Sequence, residues 1–271
     1  MNLAARLCAA VLFAAAFTHA QSAPAPYKPV PGQKGKDVVW IPSPEAMVEK
    51  MLDMARVTPQ DFVIDLGSGD GRNVIAAAKR GAKALGVEYN PDLVELAKRN
   101  AAAAGVAERA TFVRGDMYEA DISQASVLVL FLIPNNLHKL MPKFYAMKPG
   151  TRIVSNTYEI DGGWEPDETD RLPLCASWCV AHLYIVPAKI AGTWRTSQGE
   201  LTVEQYFQTF SGTYDVNGIT LTFDDGELRG NDIRFTINKV EYTGRVNGDA
   251  MEGVAKTLTG SERWTARRSG P

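Results

Sequence analysis

The sequence predicts an α/β fold, a doubly wound Rossmann-like sheet, followed by a small antiparallel all-β domain. From residue 62 to about 160, short apolar strands alternate with helical segments, which is the pattern of a parallel sheet with helices on both faces. After about residue 188 no helical period remains, and turn signals such as Asn217-Gly218 and Asn247-Gly248 separate short alternating segments. The 271 residues are 45% hydrophobic and 22% charged, a globular composition that suffices for one large domain or two modest ones.

The predicted elements follow one another through the α/β part. A first helix is expected to have Ser43 as its N-cap and Pro44 as its first residue, and to end before Thr58-Pro59. Strands are predicted at 62–66, 84–89, 111–114, 127–133 and 151–158, with helices at 73–79, 91–104 and 135–147. This order places the five strands in one parallel sheet.

The C-terminal part, residues 188–271, is predicted to contain roughly six or seven short strands. They include the segments 220–223, 233–237, 241–246, 251–255 and 264–266. This pattern indicates an antiparallel meander, a curled sheet or a small barrel. Because this part contains no group of nucleophile, base and orienting acid, we interpret it as a packing or binding domain.

The first residues have the pattern of an export signal. Arg6 precedes an apolar run at 7–17, and Thr18-His19-Ala20 fits a signal cleavage site, so we predict a signal peptide at 1–20. An uncleaved signal anchor is the alternative, and both place the rest of the chain in the periplasm or outside the cell. No later segment has the length of a transmembrane helix. Residues 21–42 are interpreted as an extended lead-in, mobile over 21–37, before an α/β domain at 43–187.

Two cysteines and the net charge bear on possible partners. Cys175 and Cys179 are four residues apart, so a disulfide requires a local turn between them, and the sequence leaves it open whether they are bridged. A zinc site needs more ligands than His182 adds to them, and we predict no metal. The formal net charge of −2 gives no indication of a nucleic-acid partner.

A glycine-rich turn is predicted after the first strand of the sheet. Its glycines, Gly67, Gly69 and Gly71, have the spacing G-x-G-x-G, whereas a dinucleotide fingerprint has G-x-G-x-x-G. Asp65 precedes the turn and Asp70 lies within it, and carboxylates there would repel a pyrophosphate. They favour a cationic ligand instead. The turn therefore predicts a site for S-adenosylmethionine, whose sulfonium and ammonium groups are positive.

Two further acids follow the next two predicted strands. Glu88 lies 23 residues after Asp65, where its carboxylate can accept hydrogen bonds from both ribose hydroxyls. Asp116, followed by Met117, is placed to accept from the adenine amino group. Either acid alone is more often a helix cap or a solvated loop residue. Their order behind the glycine turn predicts a cofactor site that includes Asp65, Gly67, Ser68, Gly69, Gly71, Glu88, Asp116 and Met117.

These residues make segment 40–187 resemble the class I S-adenosylmethionine-dependent methyltransferase superfamily. Segments 65–72 and 74–79, preceded by Ile41-Pro42-Ser43, are similar to the small protein-lysine methyltransferases that act on the ATP-synthase c-subunit, distant relatives of the Dot1-type enzymes. Segments 130–134 and 148–155 are similar to that group as well. The resemblance implies that Asp65, Gly67, Gly69, Glu88 and Asp116 hold the cofactor and that Ile41 to Ser43 lie near it. The chain departs from this family in its export signal and its β-rich tail.

The sequence indicates the methyl acceptor less directly. Methyl transfer works through positioning and desolvation and needs no general base, so no catalytic residue is predicted, and His138 is interpreted as a helix-surface residue. Asn135 either orients the substrate or caps the next helix. Tyr158 and Trp164 either line an acceptor pocket or belong to the core. With Ile41 and Pro42, these are the candidate substrate-binding residues.

The function expected is methylation of a nitrogen, with a protein lysine favoured as acceptor and with the β-rich tail completing or covering the acceptor site. Two alternatives remain. One is a small-molecule methyltransferase. The other is an exported binding protein that keeps the methyltransferase fold without turnover.

Overall fold

The computed structural model describes residues 27–160 and 162–269, which form a seven-stranded sheet with helices and a closed eight-stranded barrel. The predicted signal peptide at 1–20 lies outside the described residues. Among the helices of the described ranges, none combines the length and the apolar character that crossing a membrane requires. The prediction of a Rossmann-like sheet followed by an antiparallel all-β domain is confirmed.

The sheet has the strand order β3-β2-β1-β4-β5-β7-β6. Its strands are β1 Phe62–Leu66, β2 Lys83–Glu88, β3 Ala110–Arg114, β4 Val127–Leu130, β5 Arg152–Asn156, β6 Glu168–Arg171 and β7 Val180–Ile185. The helices are α1 Glu45–Met54, α2 Arg72–Lys79, α3 Pro91–Ala103 and α4 Pro134–Tyr145. The first five strands are parallel, whereas β7 runs antiparallel to β5 and to β6. Strand order reverses between β1 and β4, where ligands of open α/β sheets bind beyond the strand ends.

Burial on both faces explains why the strands of this sheet are nearly continuous apolar runs. Val63 of β1 packs in one hydrophobic cluster, and its neighbour Ile64 packs in a second cluster on the opposite face. Val154 and Ile153 of β5 divide between the two clusters in the same way. Successive side chains of a strand point to opposite faces of the sheet. Because helices cover both faces here, the positions on both faces are buried, and the strand shows no alternation of apolar and polar residues.

Several predicted element ends were wrong, and proline accounts for two of them. Pro44 is the N-cap of α1, not its first residue, while Ser43 Oγ accepts a hydrogen bond from Asn156 Nδ2 at 3.1 Å. Strand β4 ends at Leu130, and α4 begins at Pro134 with Ile133 as its N-cap. Pro134 fits the first helical position because the φ of proline is preset and its missing N–H is not needed there. Pro44 has an extended ψ of 140°, which places it outside the helix as its N-cap.

In the part of the predicted lead-in that the structure describes, the backbone forms a turn, and the mobility predicted for residues 21–37 stays a prediction. The backbone N–H of Gly32 donates to the carbonyl of Trp40 at 2.8 Å, and the N–H of Trp40 donates to Gln33 at 2.9 Å. A β-bridge joins Lys34 to Val39. Residues 27–42, here called the cover segment, therefore form a folded turn. A short turn held by backbone hydrogen bonds needs no regular spacing of apolar residues, so the sequence contains no pattern from which to predict it.

The barrel consists of eight antiparallel strands, more than predicted, and of the three predicted alternatives the structure has the barrel. The strands are β8 Gly192–Thr196, β9 Gly199–Tyr206, β10 Thr209–Val216, β11 Ile219–Arg229, β12 Asp232–Ile237, β13 Val240–Asn247, β14 Ala250–Lys256 and β15 Ser261–Arg268. They follow one another as a meander, and pairing of β15 with β8 closes the barrel. Closure removes the two sheet edges that an open meander would expose.

The barrel meets the sheet at its β9–β10 turn. The ring of Phe207 stacks on Trp164 with ring centroids 5.7 Å apart and an interplanar angle of 5°. Gln208 Nε2 donates to the carbonyl of Glu165 at 2.8 Å, and Tyr206 Oη donates to that of Gly162 at 3.1 Å. The change from sheet to barrel falls between β7 and β8, and the domain boundary at 187/188 stays a prediction.

Cys175 and Cys179 form a disulfide, which settles the question that the sequence left open. Their Cα atoms are 5.7 Å apart in the loop between β6 and β7. Leu174 and Trp178 have positive φ angles of 55° and 59°, so the backbone makes the local turn that the bridge requires. The loop therefore holds Trp178 beside a covalent crosslink.

Candidate cofactor and acceptor site

The glycine turn joins β1 to α2, and its three glycines have different roles. All three have positive φ, at 77°, 54° and 85° for Gly67, Gly69 and Gly71. A Cβ on Gly71 would lie 2.7 Å from the Phe112 ring, and one on Gly69 would lie 2.5 Å from Trp40 Nε1. A Cβ on Gly67 would meet Leu132 only at an ordinary 3.4 Å. Gly71 thus permits helix–sheet packing and Gly69 admits Trp40, whereas Gly67 borders the ligand space.

Two adjoining cavities lie at the carboxyl ends of the parallel strands. The larger, of about 90 Å³, is lined by Glu88, Asp116 and Met117 among others. The smaller, of about 30 Å³, is lined by residues of the glycine turn and of the cover segment, including Asp65, Ser68, Gly69, Ile41 and Pro42. Gly67, Trp40, Ile41 and Phe131 line both cavities. The structure therefore brings the predicted cofactor residues to one site, with Gly71 behind the turn.

Asp65 is the buried acid of this site. Its side chain is enclosed, its Oδ2 accepts a hydrogen bond from Asn73 Nδ2 at 3.1 Å, and its Oδ1 has no partner within the described residues. Burial raises the pKa of Asp65 to about 8, a shift that the Asn73 hydrogen bond opposes and that the charges of Glu88 and Asp70 increase. A cation placed beside this carboxyl group would stabilise its ionised form.

Glu88 ties the second strand to the glycine turn. One carboxylate oxygen accepts from the backbone N–H of Gly69 at 3.0 Å, and the other accepts from the N–H of Asn90 at 2.8 Å. Each carboxylate oxygen can accept a second hydrogen bond. The side chain is therefore fixed at the wall of the larger cavity and can still accept hydrogen bonds from hydroxyl groups of a ligand. That Glu88 binds the ribose hydroxyls of the cofactor stays a prediction.

Asp116 is already paired within the protein. Its Oδ1 accepts from the backbone N–H of Tyr118 at 2.9 Å, and its Oδ2 lies 3.0 Å from Lys36 Nζ. These two contacts hold the pKa of Asp116 below its usual range. The ammonium of Lys36 also bonds Asp37 and lies 5.4 Å from the centroid of the Tyr89 ring. The cover segment thus places a cation in the predicted adenine end of the site.

Asp70 does not offer a free carboxylate to the cofactor, so the prediction that it acts with Asp65 on a cationic ligand was wrong. Arg72 Nε donates to Asp70 Oδ1 at 3.0 Å, and Nη2 donates to Oδ2 at 2.6 Å. The remaining nitrogen, Nη1, donates to the carbonyl of Ser43 at 2.5 Å. This bidentate pair occupies both carboxylate oxygens of Asp70, and Arg72 links the glycine turn to Ser43. The spacing of two residues between Asp70 and Arg72 was a usable sequence signal.

A row of three aromatic rings that the sequence did not reveal adjoins the two cavities at Phe131. Phe131 follows β4, lines both cavities, and has its ring centroid 5.4 Å from that of Trp178. Trp178 in turn lies 6.4 Å from Tyr158, centroid to centroid. We call Phe131, Trp178 and Tyr158 the aromatic wall. Of the candidate acceptor residues, Tyr158 is therefore connected to the site. The position of Phe131 directly after the fourth strand was the available signal.

Two other candidate substrate residues lie elsewhere. Trp164 is buried between Tyr145, Tyr184 and Phe207, so the structure places it in the core and leaves no face for an acceptor. Asn135 is an exposed residue in the first turn of α4 and does not cap that helix, since Ile133 is the N-cap. Its neighbour Asn136 is buried and accepts from Tyr118 Oη at 3.1 Å.

The donor set of the site suits S-adenosylmethionine. A buried carboxyl group with an unpaired oxygen lies at one end, at Asp65, and suits an ammonium group. Carboxylates at the other end, from Glu88 and Asp116, suit hydroxyl and amino donors. Gly67 borders both cavities without a side chain. Within 27–160 and 162–269, no group of three or more His, Cys, Asp and Glu side chains is placed to hold a metal ion.

Known proteins match the α/β part of the chain. The family model of the ANTKMT methyltransferase domain matches residues 65–168. A protein-lysine N-methyltransferase of Saccharolobus islandicus (strain REY15A) is 41% identical over 152 residues, which cover 55% of this chain and 94% of that protein. The ATP-synthase c-subunit lysine N-methyltransferase of Mus musculus is 35% identical over 131 residues, covering 48% of this chain and 52% of that protein. The chain thus spans about half the length of the mouse protein.

A solved structure is similar as well. The RNA methyltransferase from Salinibacter ruber, crystallised in complex with S-adenosyl-L-homocysteine, matches with a TM-score of 0.52 and 41% sequence identity. The match covers 55% of this chain and 96% of that chain. From these matches and from the site described above, we conclude that the chain is an S-adenosylmethionine-dependent methyltransferase and belongs to the protein-lysine N-methyltransferase family.

Proposed function

We propose that the protein methylates the side-chain amino group of lysine in a protein acceptor. The aromatic wall carries this proposal, because Phe131 lines both cavities and its neighbours Trp178 and Tyr158 are partly exposed. Aromatic rings suit both parts of a lysine side chain. They pack against its methylene stem, and their faces attract its ammonium group before the proton is lost. The names of the Saccharolobus islandicus and mouse relatives support the same acceptor class.

S-adenosylmethionine supplies the methyl group, and the protein's own residues supply position and exclusion of water. Asp65, Glu88 and Asp116 would hold the cofactor, and the cover segment closes over the site through Trp40. The aromatic wall would orient the acceptor amine. In such a reaction, rate depends on alignment and desolvation more than on a proton-transfer residue.

The test is transfer of a labelled methyl group by protein lacking residues 1–20. Label from S-adenosylmethionine is expected in protein, recovered as methyl-lysine after hydrolysis. For Trp178→Ala we expect kcat/KM toward the protein acceptor to fall about tenfold, while calorimetric affinity for S-adenosylhomocysteine stays unchanged. The conservative variant Trp178→Phe keeps an aromatic face and should recover most of the activity.

The alternative functions give different outcomes in the same assay. Label confined to a low-mass fraction indicates a small-molecule acceptor, and label in added RNA indicates a nucleic-acid acceptor. Cofactor binding without transfer to any fraction of a cell extract would indicate a binding protein. Each of these results would refute the lysine proposal.

We further propose that the protein is exported and acts in the periplasm or outside the cell. The Cys175–Cys179 disulfide supports this proposal, because disulfides persist in oxidising compartments. A C-terminal fusion to alkaline phosphatase should be active, and fractionation should recover the protein outside the cytoplasm. Recovery in the cytoplasm with both thiols free to alkylation would contradict the proposal. An exported enzyme would need its cofactor delivered across the membrane.

A further inference from the structure

A cavity of about 160 Å³ lies at one end of the barrel, bordered by the β8–β9 and β12–β13 turns. We call it the distal cavity. Its lining includes Thr196, Tyr214, Phe235, Tyr242, Glu262 and Trp264. The barrel meets the sheet through Phe207 and Gln208 of the β9–β10 turn, which lies at the opposite end of the strands. The distal cavity therefore faces away from the methyl-transfer site and is a separate binding site candidate.

Three aromatic rings form a corner in this cavity. Phe235 and Tyr242 stack with centroids 4.8 Å apart and an interplanar angle of 7°. Trp264 stands nearly perpendicular to both rings, at 87° to Phe235 and 81° to Tyr242, with centroids 5.6 and 5.7 Å away. A fourth ring, Tyr214, is fixed by a 2.8 Å hydrogen bond between its hydroxyl and Thr196 Oγ1. All four aromatic residues line the distal cavity.

One carboxylate belongs to the same cavity. On β15, Glu262, Trp264 and Ala266 are spaced two residues apart and therefore lie on the same face of the strand. Across the sheet, Glu262 is paired with Ala255, which is buried inside the barrel. Residues directly opposite each other in an antiparallel pair share a face, so Glu262 is on the inner face at the rim. Burial, the Tyr214 phenol and the Glu262 charge together raise the pKa of Tyr242, which places that charge near the rings.

Arg263 also borders the cavity but belongs to the outer face of the barrel. Its partner across the sheet is Val254, whose side chain is 42% exposed. The inner face of the rim thus presents aromatic rings with one carboxylate. This combination attracts a cation whose own surface is apolar, since ring faces and a carboxylate both favour positive charge while the walls favour contact with methyl groups.

We propose that the distal cavity binds an alkylated ammonium group, such as the trimethylammonium head of a quaternary amine or of a methylated lysine. The cavity is about as large as cavities that hold a single benzene-sized molecule. An eight-stranded barrel leaves interior space for side chains or for one small ligand. The proposal is independent of the acceptor proposed above, because the cavity lies at the other end of the barrel from the sheet.

The experiment compares a charged probe with an uncharged one of the same shape. Choline and its neutral tert-butyl analogue are titrated into protein lacking residues 1–20, and binding is followed by calorimetry and by ligand-observed NMR. Choline is expected to bind at least about tenfold more tightly, the factor that a cation–π contribution of about 1.4 kcal/mol gives. Equal affinity, or no binding of choline, would overturn the proposal. Free trimethyllysine and a trimethyllysine peptide, titrated in parallel, distinguish a free amine from a protein-borne one.

Matched variants locate the binding. Glu262→Gln should lower choline affinity about tenfold and leave the neutral analogue unaffected, whereas Glu252→Gln makes the same change outside the cavity and should leave both unchanged. Trp264→Leu should weaken both probes. Affinity for S-adenosylhomocysteine is expected to remain at the wild-type value in every variant, and a wild-type circular dichroism spectrum reports that the barrel of each variant is folded. Full retention of choline binding in Glu262→Gln would refute the assigned site.

Discussion

At the residue scale, Asp65 shows how burial prepares the site for a cation. The carboxyl group is 1% exposed and keeps one oxygen unpaired within the described residues. Its neighbours Glu88 and Asp70 add negative charge that also disfavours ionisation. We therefore expect Asp65 to hold a proton at neutral pH in protein without ligand and to lose it when a cationic ligand binds.

This arrangement predicts a linkage between cofactor binding and proton release. With the pKa of Asp65 at about 8, most molecules are protonated at pH 7, so binding of S-adenosylhomocysteine should release close to one proton. Affinity should rise as pH increases from 6 toward 8 and then level off. Calorimetry in two buffers of different ionisation enthalpy measures the released proton.

Asp116→Asn provides the control for this experiment. The pKa of Asp116 is lowered by the Tyr118 N–H and by Lys36, so that carboxylate is ionised at pH 7 and its removal should leave the proton count unchanged. Wild-type protein that releases no proton, or an Asp65→Asn variant that releases as many as wild type, would contradict the assignment.

At the scale of elements, the start of α2 shows a glycine required by packing as well as by backbone conformation. Gly71 is the N-cap of α2 and has a φ of 85°. A Cβ there would also lie 2.9 Å from Ala97 Cβ of α3 and 2.7 Å from the Phe112 ring of β3. The turn can approach the sheet closely only because this position has no side chain.

Gly71→Ala is therefore expected to lower the free energy of unfolding by about 3 kcal/mol, from left-handed backbone strain and overpacking together. Gly105→Ala is the matched control. Gly105 has a φ of 71°, but a Cβ there meets no described atom within 4 Å, so only about 1 kcal/mol of strain is expected. Urea unfolding measures both values. Equal losses would show that the contacts with Phe112 and Ala97 do not matter.

At the scale of the whole molecule, a small aromatic junction couples the sheet to the barrel. Phe207 stacks on Trp164 and meets Tyr145 edge-on, with the latter centroids 5.0 Å apart. Lys189 places its ammonium 3.0 Å from the Tyr145 ring centroid, and burial lowers the pKa of Lys189 to about 8. The ring face offsets part of the cost of burying this cation.

Phe207→Ala is expected to weaken this coupling. We expect a loss of about 2 kcal/mol and the appearance of two separate thermal transitions, one for the sheet and one for the barrel. Ile219→Ala, at a barrel residue that is 64% exposed, should change stability by less than about 0.5 kcal/mol. Differential scanning calorimetry distinguishes the cases. A single unchanged transition in Phe207→Ala would mean that the two units are coupled elsewhere.

The sequence alone determined the fold class and predicted which acids lie together at the candidate cofactor site. Asp65, Glu88 and Asp116 lie at or just beyond the carboxyl ends of parallel strands. Such strand ends meet at one edge of a sheet, so spacing along the chain predicted neighbours in space. The hairpin turns likewise predicted the all-β domain, because turn chemistry is local.

Tertiary structure decided what depends on contacts between distant segments. Lys36 reaches Asp116 from the cover segment, β15 pairs with β8 to close the barrel, and Trp164 is enclosed by residues of both units. The disulfide turn carries Trp178 to Phe131 in the same way. None of these contacts leaves a period in the local sequence, since each forms between segments that only the folded chain brings together.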